Sequence, residues 1–323
     1  MRIALAGTSH WHAEMHLDAV RECGAAVVGV WDESPVQAKD FAAAHAVEFL
    51  ADFDGILDAK PDLVVLMGHP RAVPSRAEAL IEARVPLVLE KPAATRTVVI
   101  EGLRDLAHAN RAFVSVPLPN RFGPAALEWQ SLSRQGRAGA LAHAHFRLVN
   151  GPPERYAADG VPWVVDPEIG GGGALRNLGI HGVDGALSLA TGRLAIRSAT
   201  IGNRIHRSPV EDYALLVLED EAGAVFTVEA GYTYAWTRAG GDFEWRIVGG
   251  NATLIDQGDR AFCTMLDTNE RLELRPEPPQ TRYRLCMRDT LQRLSDGRSP
   301  AISIDDYVAA MSLIDAAYER RTV

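Results

Sequence analysis

Short apolar runs alternate with helical segments through the first 118 residues of the chain. The runs are continuous, as in the expected strand Asp62–Met67 (DLVVLM), and helical segments such as the expected helix Val73–Ala83 separate them. Continuous apolar strands divided by helices are typical of a parallel sheet that is covered on both faces. The sequence therefore predicts a doubly wound, Rossmann-type α/β domain over residues 1–118.

The remaining residues, 119–323, have a different pattern. Strands dominate after residue 195, and several alternate in polarity, as in residues 226–230 (FTVEA). Such alternation indicates a sheet with one packed face and one wet face. One helix is expected from Leu175 to Ala190, and two more helices are expected near the end of the chain. We predict a second, α+β domain over residues 119–323, built on a mainly antiparallel sheet.

Composition narrows the possible partners. The chain has 323 residues, 33 Lys and Arg against 42 Asp and Glu, and a net charge of −9, with no basic run. This disfavours binding to a nucleic-acid backbone or to an anionic membrane surface. The three cysteines, Cys23, Cys263 and Cys286, are widely spaced and form no CxxC pair, so we expect a reducing, cytoplasmic location. Apolar stretches end well before about 18 residues, so no membrane span is expected.

A degenerate glycine motif follows the first expected strand. In ALAGTSHWHA, Gly7 matches the first glycine of G-x-G-x-x-G, Ser9 stands at the second and His12 at the third. Such a turn brings a helix N-terminus to the pyrophosphate of a dinucleotide. We expect His10, Trp11 and His12 to lie beside the cofactor, although an ordinary strand–turn–helix is an equal alternative.

Asp32 strengthens the dinucleotide interpretation. It ends the second expected strand, 25 residues after Gly7, where a carboxylate can accept from both ribose hydroxyls of NAD and repel the 2′-phosphate of NADP. The alternative is an acid that favours the next helix N-terminus. A metal site is not expected, because the string from His12 to His16 (HAEMH) displaces the Glu of H-E-x-x-H by one position.

A lysine follows another buried strand, in the sequence Glu90-Lys91-Pro92. Ligands bind at the carboxyl edge of a parallel sheet, so Lys91 is a candidate contact to substrate and cofactor. A solvent-exposed loop lysine is the alternative.

The second half carries its own cluster of polar residues. Four glycines, 170–173, precede Asn177 and His181, which are four residues apart and are expected to share one helix face with Asp184. A histidine on such a face can carry a proton near neutral pH. A core histidine hydrogen-bonded by Asn or Asp is the alternative.

Taken in order, these motifs resemble the glucose–fructose oxidoreductase / inositol dehydrogenase / rhizopine-catabolism (Gfo/Idh/MocA) family. The resemblance spans residues 2 to about 250. It is carried by the degenerate glycine turn, Asp32, Gly68-His69-Pro70, Glu90-Lys91-Pro92, Asn120-Arg121-Phe122, Trp163 and the segment GGGALRNLGIHGVD.

The resemblance implies a large open sheet in the second domain and NAD(P)-dependent oxidation or reduction of a sugar, cyclitol or related polyol. It implies that Lys91 binds substrate and cofactor, that His181 is the general acid/base, and that Trp163 and Asn177 contact the substrate. The implied cofactor site comprises Gly7, Ser9, His10, Trp11, His12, Asp32, Gly68, His69, Pro70, Glu90, Lys91 and Asn120. The cofactor expected from Asp32 is NAD rather than NADP.

This chain departs from the family where Asn177 replaces the usual Asp and Val164 follows the Trp in place of Arg or Lys. The neutral amide should lower the pKa of His181 relative to an Asp version. Alternatives therefore stay open: a lyase or hydrolase with transient internal redox, a dinucleotide or sugar sensor without catalysis, and a metal-dependent isomerase using Glu168, His181 and Asp184.

Two further expectations concern surfaces. A Pro/Gly-rich segment with Arg155 and Tyr156 could close over a substrate, or it could simply pack on the surface. Tyr232, Tyr234, Trp236 and Arg238 could reach either the pocket or a subunit contact. The strand-rich second half suggests burial against another copy, so we expect a homodimer or homotetramer.

Overall fold

The computed structural model describes residues 1–236 and 241–320. Its first half is built on a five-stranded parallel sheet with the strand order β2-β1-β3-β4-β5. The strands are β1 (Arg2–Ala6), β2 (Ala26–Trp31), β3 (Leu63–Leu66), β4 (Leu87–Leu89) and β5 (Val114–Ser115). The helices between them are α1 (Ala13–Glu22), α2 (Pro35–His45), α3 (Asp54–Asp58), α4 (Val73–Glu82) and α5 (Thr97–Asn110). The predicted doubly wound parallel sheet is confirmed.

Local sequence explains these elements well. All four residues of β3 are buried, as expected for a central strand with helices on both faces. Helix α2 begins where the Ser34 hydroxyl accepts from the backbone N–H of Gln37 at 3.4 Å, with Pro35 at its first position. The five-residue α3 was not predicted, because it is too short to show a helical period.

The second half contains an eight-stranded sheet with the order β13-β12-β11-β10-β6-β9-β8-β7. Its pairs are antiparallel except β6 with β9, so the predicted mainly antiparallel sheet is confirmed. The strands are β6 (Leu141–Asn150), β7 (Ala195–Gly202), β8 (Tyr213–Glu219), β9 (Val225–Gly231), β10 (Gly241–Gly249), β11 (Ala252–Asp256), β12 (Ala261–Met265) and β13 (Glu270–Leu274). The helices are α6 (Pro124–Arg134), α7 (Glu154–Ala158), α8 (Ile180–Leu189), α9 (Pro279–Ser295) and α10 (Ile304–Glu319), with 3-10 turns at Pro119–Phe122 and Pro162–Val165.

Helices α6, α8 and α10 pack on one face of this sheet, while α9 packs against α1 of the first half. Side chains such as Leu216, Val228 and Ile247 are buried under those helices. The sheet residues between them, on the opposite face, are mostly half-buried. The second half thereby packs back against the first through the contact of α9 with α1.

The single helix expected over residues 175–190 is wrong in one respect. It begins as a π-helix, Leu175–Gly179, and continues as α8. The wide turn inserts a residue into the helical register, so residues before and after it do not keep α-helical spacing. Three glycines, 179, 182 and 185, let this segment lie directly against the side chains of the sheet.

Within residues 1–236 and 241–320, no helix has the length and apolar character needed to cross a membrane.

Candidate active site

The carboxyl ends of β1, β2 and β3 meet around a small cleft of about 50 Å³. Gly7 ends β1 with φ +88°, and a Cβ there would collide with the carbonyl oxygen of Met67. Only glycine fits this crossing of two strand ends. The cleft is lined by Gly7, Ser9, Trp31, Asp32, Glu33, Met67, Gly68, His69, Ala72, Val73 and Arg76.

Asp32 is buried at the end of β2 and holds the glycine turn. One carboxylate oxygen accepts from the backbone N–H of Ser9 at 2.7 Å, and the other accepts from that of Ser34 at 2.8 Å. Each oxygen keeps acceptor capacity for a further donor. Asp32, the residue predicted to bind the ribose, therefore lines the cleft. It also bonds the backbone at the start of α2, which is the structural role that the sequence left as an alternative.

The turn itself leaves polar atoms unsatisfied. Thr8 Oγ1 and His10 Nε2 are buried without a hydrogen-bond partner, and no side chain caps the N-terminus of α1. Burial holds the pKa of His10 well below its ordinary value. Unpaired buried donors at a helix N-terminus fit the oxygens of a pyrophosphate, so these residues suit a dinucleotide.

Aromatic rings from both halves lie over this turn. The rings of His10 and Trp11 stack with centroids 3.9 Å apart. Trp163 comes from the 3-10 turn of the second half. Its ring centroid lies 5.6 Å from that of Trp11 and 5.6 Å from that of His69. Trp163 is thus brought beside the predicted cofactor residues, whereas Pro70 is buried in the turn that leads to α4.

A larger cavity, of about 780 Å³, opens between the two halves. It brings together the three residues predicted to act on the substrate: Lys91, which follows β4, Asn177 from the π-helix, and His181 from the start of α8. The lining comprises Trp11, His12, Met15, Lys91, Pro119, Asn120, Leu148, Asn150, Arg155, Tyr156, Asp159, Asn177, Leu178, His181, Gly241, Phe243, Gln257, Gly258, Pro279, Gln280, Arg282 and Tyr283. The described range excludes residue 238, so the expectation for Arg238 lies outside the described residues.

Lys91 is buried, with 3% of its surface exposed, so a solvent-exposed loop lysine is excluded. Its Nζ donates to the backbone oxygen of Asn177 at 3.1 Å and to the side-chain Oδ1 of Asn177 at 3.2 Å. Burial lowers the pKa of Lys91 to about 8, against the raising effect of Glu90. The Lys91–Pro92 peptide bond is cis.

The Asn177 amide is hydrogen-bonded on every side. Its Nδ2 donates to the hydroxyls of Tyr156 at 2.9 Å and Tyr232 at 3.1 Å, while Oδ1 accepts from Lys91. These partners fix which end of the amide is the oxygen. Two tyrosines therefore orient Asn177: Tyr156, expected on a segment that could close over a substrate or pack on the surface, and Tyr232, expected to reach either the pocket or a subunit contact.

His181 has no hydrogen-bond partner at Nδ1, although the atom is buried. Burial, and then the positive charge of Lys91, hold the pKa of His181 well below its ordinary value. The alternative of a core histidine bonded by a neighbouring Asn or Asp is therefore wrong for Nδ1.

Asp184 does not join this group as the sequence predicted. Its carboxylate binds Arg121, which also contacts Asp306 at 3.0 Å. Residue 184 lies a further three positions along α8, which turns it away from the cavity toward the 3-10 turn at residues 119–122. The isomerase alternative fails with it: the described residues contain no group of three or more His, Cys, Asp and Glu arranged to hold a metal.

Glu90 lies beneath Lys91 rather than in the cleft. Its Oε1 accepts from the backbone N–H of Lys91 at 2.8 Å, and its Oε2 lies 2.7 Å from His16 Nε2 and 3.4 Å from both His12 Nδ1 and the Tyr283 hydroxyl. Burial opposes its charge, but His12 and His16 hold the pKa of Glu90 well below its usual range. The sequence indicates no role for His16 in the site, and nothing in the spacing of Tyr283 on α9 marks it as part of the site.

Asn120 lines the larger cavity rather than the small cleft. Its Oδ1 accepts from Arg282 at 3.1 Å, and Arg282 also binds both carboxylate oxygens of Asp256 at 2.9 Å. Arg282 is 2% exposed, so this pair forms a fixed wall of the cavity.

Comparison with known families divides the chain in the same way as the two sheets. Residues 1–117 match an oxidoreductase family with an NAD-binding Rossmann fold, and residues 127–255 match the GFO/IDH/MocA C-terminal domain. A curated relative, inositol 2-dehydrogenase 2 of Saccharopolyspora erythraea, is 28% identical over 220 residues. That match covers 65% of this chain and 61% of the relative, so the chain spans less than two thirds of the relative's length.

Solved structures share the whole fold. An oxidoreductase from Agrobacterium radiobacter, in complex with NAD+, L-tartaric acid and magnesium, superimposes with a TM-score of 0.85 at 19% identity, covering 99% of this chain and 96% of that one. An inositol dehydrogenase homologue from Azotobacter vinelandii with NAD+ gives 0.82 at 18% identity over 100% and 96% of the two chains. A levoglucosan dehydrogenase with NADH and levoglucosan gives 0.86 at 17% identity over 99% and 96%.

Proposed function

The chain belongs to the GFO/IDH/MocA oxidoreductase family, and on that basis we propose that it transfers hydride between a nicotinamide dinucleotide and a hydroxyl or ketone carbon of a sugar, cyclitol or related polyol. One observation carries the proposal. Lys91, Asn177 and His181 converge on a cavity of about 780 Å³ that opens beside the glycine turn of the Rossmann sheet. A dehydrogenase needs this arrangement, in which acid–base groups face the reacting oxygen next to the cofactor site.

NAD is the cofactor that the residues favour. Asp32 offers carboxylate oxygens to ribose hydroxyls and would repel a 2′-phosphate, while Thr8 and His10 supply buried groups without partners for the pyrophosphate. We assign the cofactor site to Gly7, Ser9, His10, Trp11, His12, Asp32, Gly68, His69, Pro70, Glu90, Lys91 and Asn120. Three of these residues would act there indirectly. Glu90 bonds the backbone of Lys91, Asn120 bonds Arg282, and Pro70 shapes the turn that leads to α4.

The reaction then divides between cofactor and protein. Bound NAD would supply the acceptor for the hydride that leaves the reacting carbon. Lys91 would hydrogen-bond the reacting oxygen and, when it carries a proton, stabilise negative charge on that oxygen. Asn177 would keep Lys91 in place, and His181 would hydrogen-bond the reacting hydroxyl. Trp163, predicted to contact the substrate, lies beside Trp11 and His69 and is not part of the cavity lining. The chain's own groups must also accept one proton for each hydroxyl oxidised.

The lining favours an uncharged substrate. Its strongest charges are already paired within the wall: Arg282 with Asp256 at 2.9 Å, and Arg155 with Asp159 at 3.6 Å. The cavity is also lined by the carboxamides of Asn120, Asn150 and Gln280, besides those of Asn177 and Gln257, which are hydrogen-bonded within the wall. An amide both donates and accepts, which suits the hydroxyls of a neutral polyol better than the carboxylate of a sugar acid.

A substrate panel tests the proposal. Purified protein with NAD is mixed with neutral sugars, cyclitols and sugar acids, and reduced nicotinamide is followed by its absorbance. We expect a substrate-dependent rise with at least one neutral polyol, abolished by Lys91→Ala, with NAD binding by that variant confirmed by calorimetry. Binding of NAD without a rise for any polyol would contradict the proposal.

One observation favours a second candidate, an internal-redox lyase or hydrolase. His12 and Tyr283 form a separate acid–base pair at the same cavity, with the hydroxyl of Tyr283 2.7 Å from His12 Nδ1. Such a pair could remove a proton next to a transient ketone. Turnover without net reduction of NAD would identify this chemistry.

Three further proposals concern the whole chain. We propose a division at residues 118 and 119, a cytoplasmic location supported by three free cysteines, and a homodimer or homotetramer. Apolar side chains that remain exposed on or beside the eight-stranded sheet support the oligomer, among them Val225, Leu266 and Leu272.

A further inference from the structure

The amine of Lys91 has only neutral hydrogen-bond partners. Both of its acceptors, at 3.1 and 3.2 Å, belong to the amide residue Asn177, and the ring of Trp11 lies 5.7 Å away. A buried ammonium is costly unless a carboxylate offsets it, so this setting favours the uncharged amine.

The nearest carboxylate, Glu90, is committed elsewhere. One of its oxygens accepts from the backbone of Lys91, and the other is shared by His16, His12 and Tyr283. The titratable groups that face the amine are Glu90, His10, His12 and His181. The phenols of Tyr156 and Tyr232 lie beyond Asn177 and are neutral. Glu90 is therefore the one acid among these groups, and its oxygens bind other donors.

Asn177 cannot rearrange to supply the missing charge. Both of its N–H bonds are used by the two tyrosine hydroxyls, so the amide oxygen is held against Lys91. A carboxylate at this position would accept from the same three groups while adding a negative charge. The presence of an amide nitrogen in place of a second carboxylate oxygen at residue 177 thus decides whether Lys91 has a counter-ion.

His181 is poorly suited to accept the proton. It lacks an acidic partner because Asp184 binds Arg121, and burial, the largest cause of its lowered pKa, disfavours its charged form whether or not Lys91 is charged. An acceptor whose pKa lies far below the working pH gives little driving force for proton transfer. The pKa of Lys91, which burial lowers to about 8, lies much closer to that range.

We propose that Lys91, as a neutral amine, is the general base that takes the hydroxyl proton in this enzyme, with Asn177 as the residue that makes the amine available. The inference rests on the proposed dehydrogenase function. The O–H bond of the substrate breaks as an N–H bond forms on Lys91 Nζ, the amine becomes an ammonium, and the hydride of the same carbon goes to oxidised NAD. His181 remains neutral and hydrogen-bonds the reacting oxygen. In the reducing direction the ammonium returns the proton.

The amine can be titrated without any activity measurement. The chain contains three lysines, of which Lys39 and Lys60 are exposed, so lysine labelled with carbon-13 at Cε gives three signals to follow against pH. We expect Lys91 to titrate more than one pH unit below the other two. Asn177→Asp should raise its midpoint by at least about one unit, as a close opposite charge does. Gln280→Glu, which adds the same charge at the exposed mouth of the cavity, should shift it less.

Coincident titration of all three lysines in the wild-type protein would overturn the proposal, whether or not the variants fold. This result does not depend on finding a substrate, so failure of the proposed function and failure of the lysine assignment are distinguishable.

Chemical rescue then tests the catalytic role with a polyol substrate. Lys91→Ala should regain activity with small primary amines, increasingly so with more basic ones, whereas His181→Ala should not respond to the same amines. In the wild type, kcat/KM for oxidation should rise through a midpoint near that of the Lys91 signal, and Asn177→Asp should move both midpoints together. Rescue of His181→Ala by imidazoles, with no amine rescue of Lys91→Ala, would assign the proton to His181 instead.

Discussion

Gly7 shows how one residue can be required by backbone geometry alone. Its φ of +88° and its approach to the carbonyl of Met67 leave no room for a side chain. The sequence predicted this position from the spacing of a motif whose other two glycines are Ser9 and His12. The first glycine is retained because β1 and β3 end against each other there. The other two positions tolerate larger residues because their side chains point toward the site.

We expect Gly7→Ala to lower the free energy of unfolding by at least about 2 kcal/mol, because it adds both backbone strain and a collision. Urea unfolding measures the effect. Gly102→Ala is the matched control, since Gly102 lies within α5 with no atom near its added Cβ, and it should stabilise the protein by up to about 1 kcal/mol. Equal effects of the two changes would contradict this explanation.

Asp32 should determine the choice between NAD and NADP. Asp32→Asn keeps acceptor oxygen but removes the charge that repels a 2′-phosphate, so the preference for NAD over NADP should fall at least about tenfold, which is about 1.4 kcal/mol. Calorimetric titration with each dinucleotide measures the ratio. An unchanged ratio would show that Asp32 acts only through its bonds to the backbone of Ser9 and Ser34.

Among the elements, the π-helix at residues 175–179 matters most to the site. Glu211 caps its entrance: Oε2 accepts from the backbone of Gly173 at 2.9 Å, and Oε1 accepts from the backbone of Leu175 at 2.9 Å and from Tyr318 at 2.7 Å. A half-buried side chain remote in sequence thus fixes the turn that carries Asn177. No local pattern around residues 170–180 could have revealed this contact.

Glu211→Ala should lower the free energy of unfolding by about 2–3 kcal/mol, because it leaves buried backbone donors unpaired. It should also weaken substrate binding by displacing Asn177. Glu219→Ala is the control, since its ion pair with Arg197 lies at an exposed part of the sheet and should contribute less than about 1 kcal/mol. Similar losses in the two variants would contradict the capping role.

A second element contact joins α8 and α10 to the 3-10 turn at residues 119–122. Arg121 binds both Asp184 and Asp306 there, and burial raises the pKa of Asp184 to about 6 in spite of Arg121. Arg121→Met leaves a buried carboxylate without its cation, so it should cost about 3–5 kcal/mol at pH 8.

The pH dependence of that loss follows from the sign of the shift. A carboxyl whose folded pKa is raised binds more protons when folded, so stability falls as pH rises through the range between its unfolded and folded values. Without Arg121 the folded value rises further, and the loss at pH 5 should be smaller than at pH 8. Adding Asp184→Asn should recover most of the stability. A loss independent of pH would show that packing, not charge, explains the effect.

Most strands and helices of both halves could be predicted because their signals are local, although strand β11 and the short helix α7 were not. Continuous apolar runs marked β1 to β4, and Ser34 with Pro35 marked the start of α2. The predictions were wrong or incomplete where long-range packing decides the structure: the π-turn before α8, the direction in which Asp184 points, and the edge strand β13, whose residues are mostly exposed and charged. Motifs led to Lys91, Asn177 and His181, which line one cavity, whereas no motif pointed to His16, Tyr283 and Glu211, because their contacts are distant in sequence.

At the scale of the whole molecule, the larger cavity lies where the two halves meet, whereas the lining of the small cleft belongs to the first half. Trp163 from one half lies against Trp11 and His69 from the other, and α9 packs on α1. A ligand bound there contacts both halves and should hold them together.

NAD should therefore raise the melting temperature with the logarithm of its concentration above Kd, with about 2.7 kcal/mol of stabilisation at one hundred times its Kd. NADP at the same concentration should raise it less. Scanning calorimetry over a series of cofactor concentrations measures both effects. Equal shifts of the melting temperature with NAD and NADP would contradict the role assigned to Asp32, independently of the calorimetric titration.

The proposed oligomer has a simple test. A chain of 35.0 kDa should sediment as a particle of twice or four times that mass at micromolar concentration. Replacing the exposed Leu272 by Lys should shift the distribution toward the monomer if the eight-stranded sheet forms the contact. A monomer in the wild type would remove that proposal and leave the site unchanged.

The progress of nicotinamide reduction at high enzyme concentration tests the central claim most directly. The protein is mixed with one equivalent of NAD and an excess of a polyol found in the panel, and the absorbance of reduced nicotinamide is recorded together with the sugar products. A dehydrogenase predicts a rise that persists, with one ketone formed for each NAD reduced. A rise that decays while the sugar loses a substituent, or no rise with NAD bound, would contradict the account.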